Sequence, residues 1–253
     1  MSEPETFSSP PVPVEEVRQR HPFWDYGDLA VFIVGLVAAF LVSAILVGAV
    51  FSALGVGRAL RTPAVLAAQF LAYGLAFALL AAFLRLKYRK PFFSSLGWIS
   101  PWEGFALRVA AGVLLALGVA LAGALLKTPD IDMPMKELLK SRLSLVLVGV
   151  SAVTIGPVCE ELAFRGFLYP LLARSAGPAV AILGSALPFA LLHGQQYAWS
   201  WRHVLLITVA GAGFGWMRYR SGSTAASAVM HAAYNGTLFT AYIVQGKDLP
   251  AQW

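Results

Sequence analysis

Two adjacent carboxylates, Glu160 and Glu161, lie inside an apolar stretch of the chain, and Arg165 follows four residues later. A charged side chain at membrane depth is costly, normally faces a protein interior or a wet cavity, and marks a functional site. On a helix, Glu161 and Arg165 share one face and can form an ion pair. Glu160 points about 100° away from Glu161. It is therefore free to face a cavity, where the loss of hydration makes it a better proton acceptor, as a general base requires.

Histidine and asparagine add further polar groups to apolar segments. His193 closes the run 179–192, and His231 and Asn235 lie within 224–244. His231 and Asn235 are four residues apart and share one helix face, and Asn235 is the only asparagine in the sequence. Together with the free glutamate, these groups can exchange protons and donate hydrogen bonds inside a membrane.

The composition predicts the elements that position these groups. Of the 253 residues, 58% are hydrophobic and 13% charged, and the mean hydropathy is +0.70. Several uncharged segments reach the ~20 residues that cross a bilayer, so we expect an all-α fold, a polytopic transmembrane helical bundle of about seven to eight spans around a polar catalytic cavity. The segments are 29–56, 63–84, 104–126, 143–159, 179–192, 203–217 and 222–244.

Helix breaks are expected beside the polar residues. The stretch 145–173 is predicted as one long helix interrupted at Gly156 and Pro157, and Pro188 predicts a second break. If the turns near 174–178 and 218–222 emerge on one side of the membrane, the helical rise places the polar groups near one level. The depths are about 21 Å for Glu160, about 22 Å for His193, and about 14 and 20 Å for His231 and Asn235.

Residues 1–28 are predicted to form a mobile amino-terminal segment, with Trp24 and Tyr26 as anchors at the membrane interface. Residues 29–245 are predicted to form a single transmembrane domain, with the catalytic core at about 143–244. No signal-peptide cleavage pattern precedes the first span, so we expect that span to be retained.

The formal net charge of +6 does not indicate a nucleic-acid partner, because basic residues cluster at span ends, as in 85–90. The pattern predicts the lipid bilayer as partner, with the cluster and the amino terminus in the cytoplasm. The single cysteine, Cys159, excludes an intramolecular disulfide. A thiol nucleophile is disfavoured, because no basic residue is placed to activate a buried Cys159.

Three short motifs stand in order along the second half of the chain: EExxxR at 160–165, FxxxH at 189–193 and HxxxN at 231–235. Each lies within a predicted span and at a similar depth. Together they resemble the motifs of the CPBP intramembrane proteases, also called the Abi or CAAX-protease family. The resemblance covers about 143–244.

The resemblance implies a membrane-embedded endopeptidase. Glu160 and His193 would activate a water for attack on a peptide carbonyl, while His231 and Asn235 would stabilise the oxyanion. Glu161 and Arg165 would support them as a structural pair. The substrate would be a peptide or protein, for which a prenylated CaaX-type carboxyl terminus, a bacteriocin-like peptide and a transmembrane segment all fit. The compact length predicts a prokaryotic cytoplasmic membrane.

The same residues are also compatible with a metal site and with two other classes of membrane protein. Glu160, His193 and His231 could hold zinc with an open fourth position, but no HExxH pair exists, and we favour a site without a cofactor. A proton- or ion-coupled transporter would use the same residues as an ion path, although no inverted repeat is evident. A non-catalytic immunity or scaffold membrane protein would keep the helices alone.

Overall fold

The computed structural model describes residues 21–55, 61–129 and 141–245, and every regular element in these ranges is helical. The all-α fold class is confirmed. A π-helical segment spans Leu162–Leu168, and a 3-10 turn spans Gly194–Tyr197. The α-helices are α1 (Tyr26–Ala53), α2 (Arg61–Tyr88), α3 (Phe92–Ser95), α4 (Phe105–Leu125), α5 (Arg142–Val153), α6 (Ile155–Glu161), α7 (Tyr169–Leu192), α8 (Trp201–Ser221) and α9 (Thr224–Gln245).

Several helical stretches are long and apolar enough to cross a membrane. One of them has 51 residues, far more than the ~20 that a single crossing needs. It breaks at Gly177, whose φ of 83° and ψ of 169° are not helical, within the predicted turn at 174–178. The chain is a multi-pass membrane protein, and its helices are roughly consistent with the expected number of spans. The four candidate stretches are Tyr26–Ala53, Thr62–Tyr88, Phe105–Leu125 and Arg142–Leu192.

The break predicted at Gly156 and Pro157 lies slightly earlier in the structure. α5 ends before Thr154, whose φ of −122° and ψ of −83° leave the helical region, and α6 starts directly after it. Pro157 then falls in the first turn of α6, where a missing N–H is tolerated. The second predicted break is wrong, because the backbone stays helical at Pro188.

The segment before α1 differs from its prediction. Of the mobile segment expected at 1–28, residues 1–20 lie outside the described ranges. Trp24 is fully buried, stacks on Phe167 with ring centroids 5.0 Å apart, and donates from its indole to the Phe167 carbonyl at 3.1 Å. Its interpretation as an interface anchor is wrong, because this ring fills a core contact that local sequence does not reveal. Tyr26 is half exposed.

Two aspartates fix the start of α1. Asp25 caps the helix in a reciprocal capping box with Asp28, which satisfies backbone donors that have no helical partner. The Asp28 carboxylate also accepts hydrogen bonds from Lys87 and Tyr88 at the end of α2. The first two long helices are thereby antiparallel, and α1 begins three residues before the predicted span.

Small residues allow α8 to approach α7 closely. A Cβ placed on Gly211 would lie 3.2 Å from Cα of Ala186, and one on Gly215 would lie 3.3 Å from Cα of Ile182. Close backbone approach of this kind is how helices associate in membranes. It brings the Gly211 carbonyl within reach of the polar residues that follow α6.

Candidate active site

The paired glutamates end α6, immediately before the π-helical segment. Glu161 and Arg165 are both fully buried, and Glu161 Oε1 lies 2.9 Å from Arg165 Nη1. The ion pair expected from their spacing is therefore present in the structure. The Glu160 side chain keeps 21% of its surface exposed, so it is the carboxylate that reaches accessible space. π-Helical turns recur at functional sites, and here one carries Arg165.

Arg165 is fully buried and contacts polar and aromatic groups of several helices. Its Nη2 donates to the Gly211 carbonyl at 2.5 Å. Its guanidinium carbon lies 5.0 Å from the ring centre of Phe189, 5.5 Å from that of Phe214 and 5.9 Å from that of Phe164. Aromatic faces attract a desolvated cation. The charge of Arg165 is thus balanced by one carboxylate, one carbonyl and three rings.

His231 lies between the two glutamates. Its Nδ1 is 3.0 Å from Glu161 Oε1, and its Nε2 is 3.7 Å from Glu160 Oε2. The imidazole is 3% exposed and stacks on Phe214, with centroids 4.2 Å apart and planes inclined by 19°. An ionised carboxylate only accepts hydrogen bonds, so Nδ1 carries the proton toward Glu161. The other ring nitrogen then faces Glu160.

Local spacing does not predict the bond between Glu161 and His231, because it pairs Glu161 with Arg165 alone. Local spacing reveals partners on the same helix, whereas His231 comes from α9 and reaches Glu161 only after the helices pack. A buried carboxylate with two lone-pair-bearing oxygens can serve more than one donor. The sequence therefore indicates that Glu161 can accept from a second donor, but it does not indicate which residue supplies it.

His193 follows the last residue of α7 and is partly buried. Its Nδ1 lies 2.8 Å from the Phe189 carbonyl oxygen, which can only accept, so Nε2 is the nitrogen left to accept a proton. The Phe189 ring contacts both imidazoles, at 4.7 Å from the centroid of His193 and 5.6 Å from that of His231. The structure thus brings the two histidines to one aromatic ring, without a hydrogen bond between His193 and Glu160.

Asn235 connects α9 to α5. Its Nδ2 donates to the Ala152 carbonyl at 2.8 Å, just before the break at Thr154. Carbonyls at the end of a helix lose their regular partners, and this amide supplies one. The amide group has two hydrogens, so one remains for a second acceptor. Asn235 therefore holds the break in place beside the glutamates.

An open apolar pocket lies against the same helices. Its volume is about 360 Å³. Val158 and Ala228 each precede a polar residue of the site, Glu161 and His231 respectively, by three positions and so lie near its helix face. The pocket thus adjoins the helices that carry Glu161 and His231, although neither side chain lines it. Its lining includes Trp98, Val153, Ile155, Val158, Ala228 and Ala232.

The arrangement of possible metal ligands bears on the zinc alternative. Within the described ranges, no group of three or more His, Cys, Asp and Glu side chains is arranged to hold a metal ion. Glu160, His193 and His231, the set of the zinc alternative, do not form such a group. Zinc dependence stays an untested alternative.

The fold and site define a polytopic helical membrane protein with an acid–base cluster buried between its helices. The family model of type II CAAX prenyl endopeptidase Rce1-like proteins matches residues 142–237. The matched segment resembles the CPBP, or CAAX-protease, family, as the three motifs indicated. It is less than half of the chain, yet it contains every residue of the candidate site. No curated protein and no solved structure matches the chain.

Proposed function

We propose that the protein is an intramembrane endopeptidase in which Glu160 is the general base. The observation that carries the proposal is the connected cluster of Glu160, His231, Glu161 and Arg165. Three of its members are buried to 3% exposure or less, and Glu160 alone reaches accessible space. A carboxylate held at the edge of a water-poor cluster can take a proton from water and return it.

The proposed reaction begins when Glu160 removes a proton from a water molecule. The oxygen of that water attacks the peptide carbonyl carbon, and the carbonyl oxygen becomes an oxyanion. The carbon–nitrogen bond then breaks, and the proton held by Glu160 passes to the leaving amine. His193 orients the water through its Nε2, because its Nδ1 is already bonded to the Phe189 carbonyl.

Two donors stabilise the oxyanion in this proposal. Asn235 offers the amide hydrogen that Ala152 does not take. His231 donates from Nε2 only when both ring nitrogens carry protons, because Nδ1 already donates to Glu161. A fixed donor is worth more in a site that excludes water, since the developing charge has no other partner.

The proposed substrate is a peptide or protein whose cleaved end carries an apolar group, such as a prenylated CaaX-type carboxyl terminus. The apolar pocket against the helices that carry the cluster supports this choice. A bacteriocin-like peptide or a transmembrane segment is the competing substrate. We propose the cytoplasmic membrane of a prokaryote as its location, with the bilayer as the surrounding partner.

The test is cleavage of a fluorogenic prenylated peptide by the detergent-purified full chain. The same peptide without the prenyl group and an unrelated transmembrane peptide are run beside it. We expect Glu160→Gln to abolish cleavage and Cys159→Ala, at the adjacent position, to retain it. A chelator is expected to leave the rate unchanged.

Each other outcome has a defined meaning. Loss of activity on chelation would indicate a metal-dependent mechanism. Equal cleavage with and without the prenyl group would contradict the proposed lipidated substrate but agree with the proposed protease activity. No cleavage of any peptide by the wild type would favour the transporter or scaffold alternatives.

A further inference from the structure

A second cavity lies at the end of the bundle where α1 begins and α8 ends. Its volume is about 500 Å³. None of its lining residues is acidic, whereas two are arginines and one is a histidine. The lining residues are His21, Tyr169, Pro170, Ala173, Arg174 and Arg218.

Two of the lining side chains are more than nine-tenths buried and have unused polar groups. Arg218 is 8% exposed and Tyr169 is 6% exposed. Arg218 Nε donates to the Arg165 carbonyl at 3.1 Å, and its guanidinium carbon lies 5.9 Å from the Tyr169 ring centre. Neither the Nη atoms of Arg218 nor the Tyr169 hydroxyl has a hydrogen bond to another described residue. A buried cation without a carboxylate partner is costly, and an anion in this cavity would offset that cost.

The guanidinium of Arg218 packs closely against Gly97. A Cβ placed on Gly97 would lie 2.5 Å from Arg218 Nη2, so the absence of a side chain at Gly97 makes room for the fork. The Gly97 carbonyl accepts from the Thr224 backbone N–H at 2.9 Å. The loop after α3 and the start of α9 thus pack together next to Arg218.

Two further positive or protonatable groups border the cavity. Arg174 Nη1 donates to the Pro22 carbonyl, which holds Arg174 beside the segment that carries His21. Burial lowers the pKa of His21, and the positive charges of Arg218 and Arg174 lower it further. The cavity therefore has a positive potential that no acidic lining residue compensates.

The cavity is at the membrane surface. His21 lies five residues before α1, and Arg218 lies in the last turn of α8. The Asp28–Lys87 pair brings the start of α1 to the end of α2, so the basic run 85–90 lies on the same side. Lipid phosphates lie at this depth, and basic pockets on the cytoplasmic side of spans bind anionic head groups.

We propose that this cavity binds a phosphate group, supplied by the head group of an anionic phospholipid or by a soluble phosphate ester. A guanidinium fork matches two phosphate oxygens. Arg218 would provide that fork, Arg174 would provide a second charge, and Tyr169 would donate from its hydroxyl. The proposal does not depend on proteolysis, since the cavity is separate from the candidate active site.

The test uses the purified full chain in nanodiscs of a neutral glycolipid, with or without phosphatidylglycerol. Retained lipid is measured by native mass spectrometry. In parallel, the thermal midpoint in detergent is measured with inorganic phosphate and with glycerol phosphate. We expect selective retention of phosphatidylglycerol, or a higher midpoint with a soluble phosphate. The first result identifies a lipid source and the second a soluble one.

The variants separate binding from folding. Arg174→Gln and Tyr169→Phe keep most of their packing and are expected to weaken phosphate binding about tenfold each, as expected for loss of a charge-assisted or buried hydrogen bond. Arg218→Gln should weaken it most. Arg220→Gln is the matched control, because Arg220 is exposed and does not line the cavity. The proposal would be overturned if the wild type neither retained phosphatidylglycerol nor gained a higher thermal midpoint with a soluble phosphate. Equal phosphate binding by Arg174→Gln, Tyr169→Phe and wild type would also overturn it.

Discussion

Glu161 Oε1 accepts a hydrogen bond from His231 Nδ1 at 3.0 Å, across a separation of 70 residues in the chain. The same oxygen lies 2.9 Å from Arg165 Nη1. One carboxylate oxygen therefore holds both a cation and the imidazole that faces Glu160. The two adjacent glutamates have different tasks, since Glu161 orders the cluster and Glu160 reaches accessible space.

Exchanging each glutamate for glutamine should separate these tasks. Glu161→Gln leaves the fully buried Arg165 without its counter-charge, which should cost about 3–5 kcal/mol of unfolding free energy. Glu160→Gln should change stability little, because the 3.7 Å between its Oε2 and His231 Nε2 is too long for a hydrogen bond, yet it should abolish cleavage. Thermal unfolding and peptidase assays on both variants check this. Similar unfolding midpoints for the two variants would contradict the assignment.

The buried ion pair should show strong coupling. Arg165→Met leaves the Glu161 carboxylate without its cation, just as Glu161→Gln leaves Arg165 without its carboxylate. Each single variant is therefore expected to be destabilised. Replacing the two residues together should recover about 0.5–3 kcal/mol relative to the sum of the single changes, because neither charge is then left without its counter-charge. A double-mutant cycle from denaturant unfolding measures this. Simple additivity would show that the pair acts as two independent contacts.

Asn235→Asp should lower activity without a large change in side-chain volume. An ionised aspartate cannot donate to the Ala152 carbonyl or to an oxyanion, so kcat should fall about 10²–10³-fold. Thr237→Val is the matched control, because the one hydrogen bond of the Thr237 hydroxyl within the described residues goes to the Ala233 carbonyl of its own helix. Steady-state kinetics on both variants test this, with the main effect expected in kcat. An equal loss in the two variants would point to a general disturbance of α9.

Two glycines of α4 should respond differently to alanine. A Cβ on Gly112 would lie 2.3 Å from the Met230 carbonyl oxygen of α9, whereas nothing lies within 4 Å of one on Gly118. Gly112→Ala should therefore destabilise the protein by about 1–3 kcal/mol through overpacking. Gly118→Ala should be neutral, or stabilising by up to about 1 kcal/mol through helix propensity. Unfolding midpoints compare them, and equal effects would argue against close contact of α4 with α9.

Features set by local spacing could be predicted from the sequence. The Glu161–Arg165 pair follows from a separation of four residues, and the break near Pro157 follows from the missing N–H of proline. The all-helical membrane fold follows from long uncharged segments. In each case, the deciding interaction lies within one helix or between a helix and the bilayer.

Features set by packing between helices could not be predicted in the same way. Trp24 precedes an apolar run, as interfacial aromatics do, but its stacking on Phe167 depends on a contact far along the chain. The Glu161–His231 bond and the amide of Asn235 on the Ala152 carbonyl are of the same kind. Pro188 shows the converse, since α7 stays helical where the local rule predicts a break.

The family segment at 142–237 is not self-contained in this chain. Trp24 covers Phe167 from the amino-terminal side, and Thr224 donates from its hydroxyl to the Leu96 carbonyl at 2.6 Å. Excising the segment and grafting it onto another membrane scaffold would uncover these contacts. The amino-terminal part of the chain must therefore be kept together with the segment. Substitutions in the amino-terminal helices can then alter the site although they change no motif residue.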